Sequence, residues 1–233
     1  MAKLEQKSAN PPPGQLVHDD HSIGTLDQSS YDTKGTPSTA DDEMFFGDGN
    51  KPTNYNISVD SKTDIELGLK IHYRQGADII PTSVDADGTA HYAVPSGTQV
   101  VDPAHDVGVA NPNRAAWNFD FSVNTGLNGS THTLDDFDFR ITITSGDGEK
   151  GVFDLQHLGP GNTPWGTPAG GFADEDGSNP QLSQNSVNLG FNFLKAIFGA
   201  DALDAGETYD ITLQAFDHHH QIVAQVHDAI VLV

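Results

Sequence analysis

The chain has 233 residues, and 11 basic against 33 acidic side chains leave a formal net charge of −22. A surface of that charge repels phosphate backbones and anionic lipid, so we expect no nucleic-acid partner, whereas divalent cations and basic partners are favoured. The chain has no cysteine, which excludes disulfides, thiolate catalysis and cysteine-ligated zinc.

Residues 1–50 are predicted to form a flexible N-terminal arm, and residues 51–233 the folded domain. The arm is rich in Pro, Gly, Ser, Thr and Asp, a composition that buries too little apolar surface to fold alone. Its apolar residues occur in short stretches that we expect to add a strand to the open sheet edge of a neighbouring copy. The candidate assembly residues are Leu16, Val17, Ile23 and Leu26.

From about Tyr55 onward, apolar and polar residues alternate with the period of two that is typical of half-buried strands. The clearest cases are 65–73, 117–123 and 137–143. In the first, we expect Tyr73 to face the core with the apolar residues and Lys70 and His72 to face solvent. We expect 117–123 and 137–143 to form one long antiparallel hairpin around Asn128-Gly129. Asp120 and Arg140 are then an exposed cross-strand pair, which contributes about 0–1 kcal/mol and is not a site.

The C-terminal part of the chain predicts a strand that runs into a short helix near Phe191, followed by a final hairpin. In that hairpin, apolar residues of 211–215 and 222–226 face inward, and Asp217–Gln221 form the connecting loop. Strands joined by turn-rich loops favour an all-β antiparallel sandwich, of jelly-roll or immunoglobulin-like kind. No stretch approaches the ~18 apolar residues of a membrane span, so no membrane insertion is expected.

The loop "DHHHQ" places His218 and His220 two residues apart, where both imidazoles are able to face the same way. Imidazole suits zinc, copper or nickel, but a functional site needs three or four converging ligands. The sequence shows no group that completes the set. The loop is therefore either a transition-metal site or, as we favour, the exposed end of a plain hairpin.

Three acidic loops resemble calcium-binding loops, because oxygen ligands alternate along a segment that a glycine allows to turn tightly. The candidate ligands are Asp85 and Asp87 in the first loop, and Asp174, Asp176 and Asn179 in the favoured one; "SGDGEKG" is the third. None has the glutamate that completes an EF-hand. Asp, Asn and Gly are also ordinary turn residues, so both interpretations stay open.

Trp165 lies in a Gly- and Pro-rich stretch, 159–180, of a length that is usually functional or mobile. An exposed tryptophan stacks on sugars, although one between prolines also serves simply to fix its loop. No Gly-x-Ser-x-Gly, His-Glu-x-x-His or P-loop sequence occurs, so we predict no catalytic residues and no enzyme.

The second half of the chain resembles the acidic, cysteine-free β-sandwich proteins that proteobacteria export or display on their surface, including PEP-CTERM-associated and type I secreted kinds. The resemblance rests on "WNFDFSVNTGLNGSTHTLDDFDFRITI", "NSVNLGFNF" and "AGETYDITLQAFD" with "IVAQV". It implies a protein of the cell surface or extracellular matrix, exported without an N-terminal signal peptide. The ending "HDAIVLV" fits a type I export signal and a core strand equally well.

Two functions from different classes follow. The first is a non-enzymatic structural protein that assembles with itself into oligomers or filaments, with calcium-stabilised loops. The alternative is an extracellular module that binds carbohydrate or metal. A cytoplasmic location is not excluded by the sequence.

Overall fold

The structure, a computed structural model, describes residues 19–27, 52–74, 77–98, 113–155 and 181–233. Within these ranges the chain forms two β-sheets and one short α-helix, which confirms the predicted all-β sandwich. No described helix has the length and apolar character needed to cross a membrane.

Sheet A has five strands, all paired antiparallel. In spatial order they are β1 (Asp19–Gly24), β2 (Tyr55–Asp60), β3 (Ile65–Tyr73), β6 (Trp117–Asn124) and β9 (Leu182–Val187). β1 lies inside the predicted arm, so residues 19–27 are part of the sandwich; the remaining arm residues lie outside the described ranges.

Sheet B has six strands, and the pairing of β5 with β11 is parallel while the other pairs are antiparallel. In spatial order they are β4 (Ser83–Val84), β5 (Ala90–Val94), β11 (Ile222–Leu232), β10 (Thr208–Phe216), β7 (Asp138–Ser145) and β8 (Lys150–Asp154). The helix α1 (Asn192–Phe198) follows β9, as predicted. The connection from β6 to β7 contains two short 3-10 helices, Leu127–Gly129 and Leu134–Asp136.

The core lies between the two sheets and is built by the period-two alternation of each strand. Its side chains come mainly from β3 and β6 of sheet A and from β5, β7, β10 and β11 of sheet B. Trp117, Phe119 and Phe121 are completely buried, as are Ile211 and Leu213 on the opposite sheet. The predicted inward residues of the final hairpin are confirmed except Ile222, which is half-buried, while Val223 packs against the core beyond a register shift at Ala215/Phe216. Asp217–Gln221 connect β10 to β11.

One carboxyl group lies inside this apolar core. Asp228 of β11 is 0% exposed, and its Oδ1 accepts a hydrogen bond from Asn56 Nδ2 at 2.9 Å. Its Oδ2 has no hydrogen-bond partner among the described residues. Burial raises the pKa of Asp228 to about 8, although the hydrogen bond from Asn56 opposes the shift.

The predicted hairpin of 117–123 with 137–143 is wrong. β6 pairs with β3 and β9 in sheet A, whereas β7 pairs with β10 and β8 in sheet B. The connection between the two strands crosses from one sheet to the other. Both aromatic faces do point inward, but they meet across the sandwich instead of side by side.

The predicted exposed pair of Asp120 with Arg140 is wrong for the same reason. Asp120 is 0% exposed and lies beside His72 in sheet A. Arg140 lies in sheet B, with its guanidinium 4.7 Å from the centre of the Phe216 ring. The two side chains therefore belong to different layers of the molecule.

Candidate functional site

The turn Asp217–Gln221, which carries His218, His219 and His220, forms the exposed end of the β10–β11 hairpin. Asp217 closes it, because its Oδ1 accepts hydrogen bonds from the backbone N–H groups of His219 and Gln221 at 2.8 and 2.9 Å. His218 and His220 are both exposed, and His220 Nδ1 lies 3.8 Å from Asp138 Oδ2. No third ligand converges on them from the described residues.

The first acidic loop, between β4 and β5, is a tight turn with Gly88 at φ +84. Its two carboxylates have different partners: Asp85 Oδ2 lies 2.8 Å from His91 Nε2, and Asp87 Oδ1 accepts from Thr89 N at 3.1 Å. The backbone hydrogen bond from Thr89 lowers the pKa of Asp87. The structure thus gives both acids a role in shaping the turn.

The favoured calcium ligands Asp174, Asp176 and Asn179 and the candidate sugar contact Trp165 lie outside the described residues, as do Leu16 and Val17. Over the ranges that the structure describes, no group of three or more His, Asp or Glu side chains is arranged to hold a metal ion. Calcium in the 174–179 loop stays a prediction.

The docking of β1 on β2 is the feature that bears most directly on the predicted arm. All six residues of β1 pair in register with β2, from Asp19 opposite Asp60 to Gly24 opposite Tyr55. The segment after β1 is held as well, because Leu26 N donates to Pro52 O at 3.0 Å. We call β1 together with Thr25–Asp27 and the surface beneath them the β1 seam.

Two side chains of the β1 seam fit into spaces left by glycines. Leu26 is 2% exposed and packs with Tyr55, Ile57 and Leu182. A Cβ atom at Gly68 of β3 would lie only 2.8 Å from Leu26 Cδ2 and 2.9 Å from Tyr55 Cδ1, so both side chains would have to shift to make room for it. Of the four assembly candidates, Leu26 is thus a buried contact within its own chain, whereas Ile23 is 37% exposed.

The second such contact is made by His21 on Gly88. A Cβ atom at Gly88 would lie 2.3 Å from His21 Cγ, so the imidazole rests directly on the glycine backbone. Burial lowers the pKa of His21, with the charges of Asp87 and Asp20 opposing the shift. The neutral ring is therefore favoured in the docked strand.

Glu66 of β3 binds the C-terminal end of the β1 seam at Asp27. Both of its carboxylate oxygens accept from the backbone N–H of Asp27, at 3.1 and 3.0 Å. Burial raises the pKa of Glu66 to about 7, which the hydrogen bonds from Asp27 N–H and Asn124 partly offset. The seam is thus a strand and a short tail held by a backbone ladder, one leucine, one histidine and one carboxylate.

A second unusual feature, the Lys70 cluster, lies on the face of sheet A that points away from the core. It consists of Lys70 and His72 on β3, Asp120 opposite Lys70 on β6, and Asp78 after β3. Lys70 and Asp120 are 0% exposed, and His72 Nε2 lies 2.9 Å from Asp120 Oδ1. Burial lowers the pKa of His72, but the charge and hydrogen bond of Asp120 outweigh it and the net shift is upward.

Alternation in 65–73 predicted that these polar residues face solvent, and that expectation is wrong. Every residue of β3 is buried except Tyr73, which was expected to face the core and is 46% exposed. The sequence does contain an indication of this cluster. Lys70 and His72 lie on one face of β3, and Asn118 and Asp120 lie on one face of β6. This pattern identifies a charged cluster only once the two strands are known to be neighbours.

Comparison with known proteins adds no assignment: no family model, no curated protein and no solved structure matches this chain.

Proposed function

We propose that this protein is a non-enzymatic structural protein of the cell surface or extracellular matrix that assembles with copies of itself by exchanging β1. The observation that supports it is the β1 seam, in which a strand completes sheet A although residues 25–54 separate it from its partner strand β2. The extracellular location is supported by the resemblance of the second half of the chain to exported proteins.

The length of the connection makes exchange geometrically feasible. The undescribed part, residues 28–51, cannot span more than about 80 Å at full extension. That limit is well above the diameter of a domain of this size, roughly 45 Å. A β1 strand released from its own β2 is therefore able to reach the same position on a neighbouring molecule.

The contacts of the β1 seam are the same whether β1 comes from its own chain or from another. The equilibrium between the two arrangements then depends on the effective concentration of the strand that is tethered to its own β2. Exchange is accordingly favoured where copies are crowded, as on a surface. Reciprocal exchange closes a dimer, and head-to-tail exchange builds an open filament.

Cysteine pairs test the exchange directly, because the natural chain contains none. Asp20 and Val59 are paired across β1 and β2, at a spacing that a disulfide spans. When D20C and V59C proteins are mixed at high concentration under mild oxidation, we expect a dimer linked through positions 20 and 59, identified by peptide mass. The D20C/V59C double variant should instead close within one chain and stay monomeric until it is reduced.

The matched control is V152C, which places the same substitution on β8 of the other sheet at a side chain that is 50% exposed. It should form no specific link with D20C. If D20C and V59C never join between chains while the double variant closes within one chain, exchange of β1 does not occur and the proposal is lost.

Calcium stabilisation through the 174–179 loop is a separate part of the proposal. In sedimentation velocity, we expect calcium to increase the size of the species and excess chelator to reverse the increase. A D174N/D176N variant should lose this response while exchange of β1 persists, because the two carboxylates supply the charge that the cation requires. An unchanged response in the variant would place the calcium effect elsewhere.

A further inference from the structure

The Lys70 cluster brings an amine and a carboxyl group into contact inside the protein. Lys70 Nζ lies 3.3 Å from Asp78 Oδ1 and 4.0 Å from Asp120 Oδ2. The Tyr55 ring covers the amine, with its centre 4.8 Å from Nζ. Lys70 is 0% exposed, which is rare for a lysine, and its stem and head are both removed from water.

Asp78 is held in a position suited to attack at its carboxyl carbon. Its Oδ2 accepts a hydrogen bond from Asn54 Nδ2 at 2.8 Å, while Oδ1 faces Lys70. A donor fixed on one carboxyl oxygen stabilises the negative charge that develops on that oxygen when a nucleophile adds to the carbon. The amide of Asn54 occupies that place.

Asp120 is arranged to move protons. Its Oδ1 is bound to His72 Nε2, whereas its Oδ2, on the side of Lys70, accepts no hydrogen bond from the described residues. A carboxylate fixed by one oxygen and open at the other can take a proton from the amine and return it to a leaving group.

Burial also favours a neutral product. Two opposite charges lose their solvation when they are taken out of water, and their mutual attraction only partly restores it. An amide between the same two groups carries no charge and keeps one donor and one acceptor. Groups held in contact react with effective molarities of roughly 10⁵–10⁸ M, so the usual entropic cost of joining them is already met.

We propose that Lys70 and Asp78 are joined by an intramolecular isopeptide bond that forms spontaneously after folding. Asp120 first transfers one proton from the Lys70 ammonium to Oδ1 of Asp78, which leaves a neutral amine and a carboxylic acid. The lone pair of Nζ then adds to Cγ of Asp78, and a C–N bond forms. Asp120 carries a second proton from the nitrogen to the same oxygen, which leaves as water when the C–O bond breaks. An ammonium and a carboxylate are thereby converted into an amide and one water, and no other reactant is consumed.

Intact mass of the purified full chain in denaturant tests the bond. We expect the folded protein to weigh less than its sequence by one water molecule, and a branched peptide to join positions 70 and 78 after digestion. A folded protein with the full sequence mass would overturn the proposal. A branch between Lys70 and Asp120 would overturn the assignment of Asp78.

Three variants separate the roles. K70M should have its full sequence mass, whereas K62M, at an exposed lysine, should keep the loss of water. D120N keeps the size of the side chain but removes the proton carrier, so it should fold and retain its full mass; loss of water in D120N would remove Asp120 from the mechanism. D78N should lose ammonia instead of water, because an amide then supplies the leaving group.

Discussion

Replacing Asp228 with asparagine raises the free energy of unfolding at pH 8 by about 2–4 kcal/mol and lowers it by about 1 kcal/mol at pH 4. The carboxyl is buried in the core and its pKa is raised from 3.8 to about 8. Between those values the folded chain keeps a proton that the unfolded chain releases, so stability falls as pH rises. Asparagine is neutral in both states and removes this dependence.

The size of the effect comes from two opposing contributions. The full shift corresponds to on the order of 5 kcal/mol at pH 8. The amide still accepts the hydrogen bond from Asn56, but its new N–H groups are desolvated at a cost of about 1–2 kcal/mol. Urea unfolding of both proteins at several pH values measures the difference between them.

D204N is the matched control, because it removes one carboxylate from an exposed turn. It should change stability by less than about 0.5 kcal/mol at every pH. A D228N protein whose stability curve runs parallel to that of the unmodified chain from pH 4 to pH 8 would contradict the assignment of a protonated Asp228.

Replacing Leu26 with alanine lowers the free energy of unfolding by about 2–4 kcal/mol, whereas I23A costs less than about 1 kcal/mol. Both residues belong to the β1 seam, but Leu26 is 2% exposed above Gly68 and Ile23 is 37% exposed. Truncation at position 26 leaves a cavity between Tyr55 and Leu182, and truncation at position 23 leaves none. Urea unfolding of the two variants at pH 7 measures the contrast.

The L26A variant also distinguishes assembly by exchange of β1 from assembly through a separate surface contact. If β1 moves between chains, the contact of Leu26 is lost equally in the monomer and in the assembly, so L26A lowers stability without changing the ratio of the two. A leucine that mediated a separate surface contact would instead be needed only in the assembly. Sedimentation of L26A at matched concentration therefore distinguishes the two, and equal stability losses in L26A and I23A would show that the seam is not packed as described.

The elements that sequence predicted correctly are those that local pattern determines. The final hairpin has alternating residues on both sides of Asp217–Gln221, and its strands are neighbours in both sequence and space. The helix α1 begins where apolar spacing changes from two to about 3.6, although the alternation at Val187, Leu189 and Phe191 placed the preceding strand too late, since β9 ends at Val187 and a turn leads into the helix. In these regions the local preference and the fold agree.

The errors arise where alternation leaves the partner undetermined. A strand such as 117–124 shows which residues face inward but not which sheet contains it, so its hairpin with 138–145 was wrong. The polarity of Lys70 likewise predicted that it faces solvent. The carboxylate of Asp120, opposite it on the neighbouring strand β6, allows it to be buried. The sequence of β1, "DDHSIG", does not alternate between apolar and polar residues. Its position depends on the room beside Gly68 and Gly88, which are distant from it in the sequence.

The position of β11 in the sequence controls when sheet B is able to form. β11 lies between β5 and β10, so it alone connects the β4–β5 pair to the three strands on its other side. Its parallel contact joins Asp228 to Ala90 across most of the folded chain, and such distant pairings slow folding. In a growing chain the β4–β5 pair therefore cannot join β10, β7 and β8 in one sheet until β11 is present, and the closing of the sandwich is a late event in the life of each molecule.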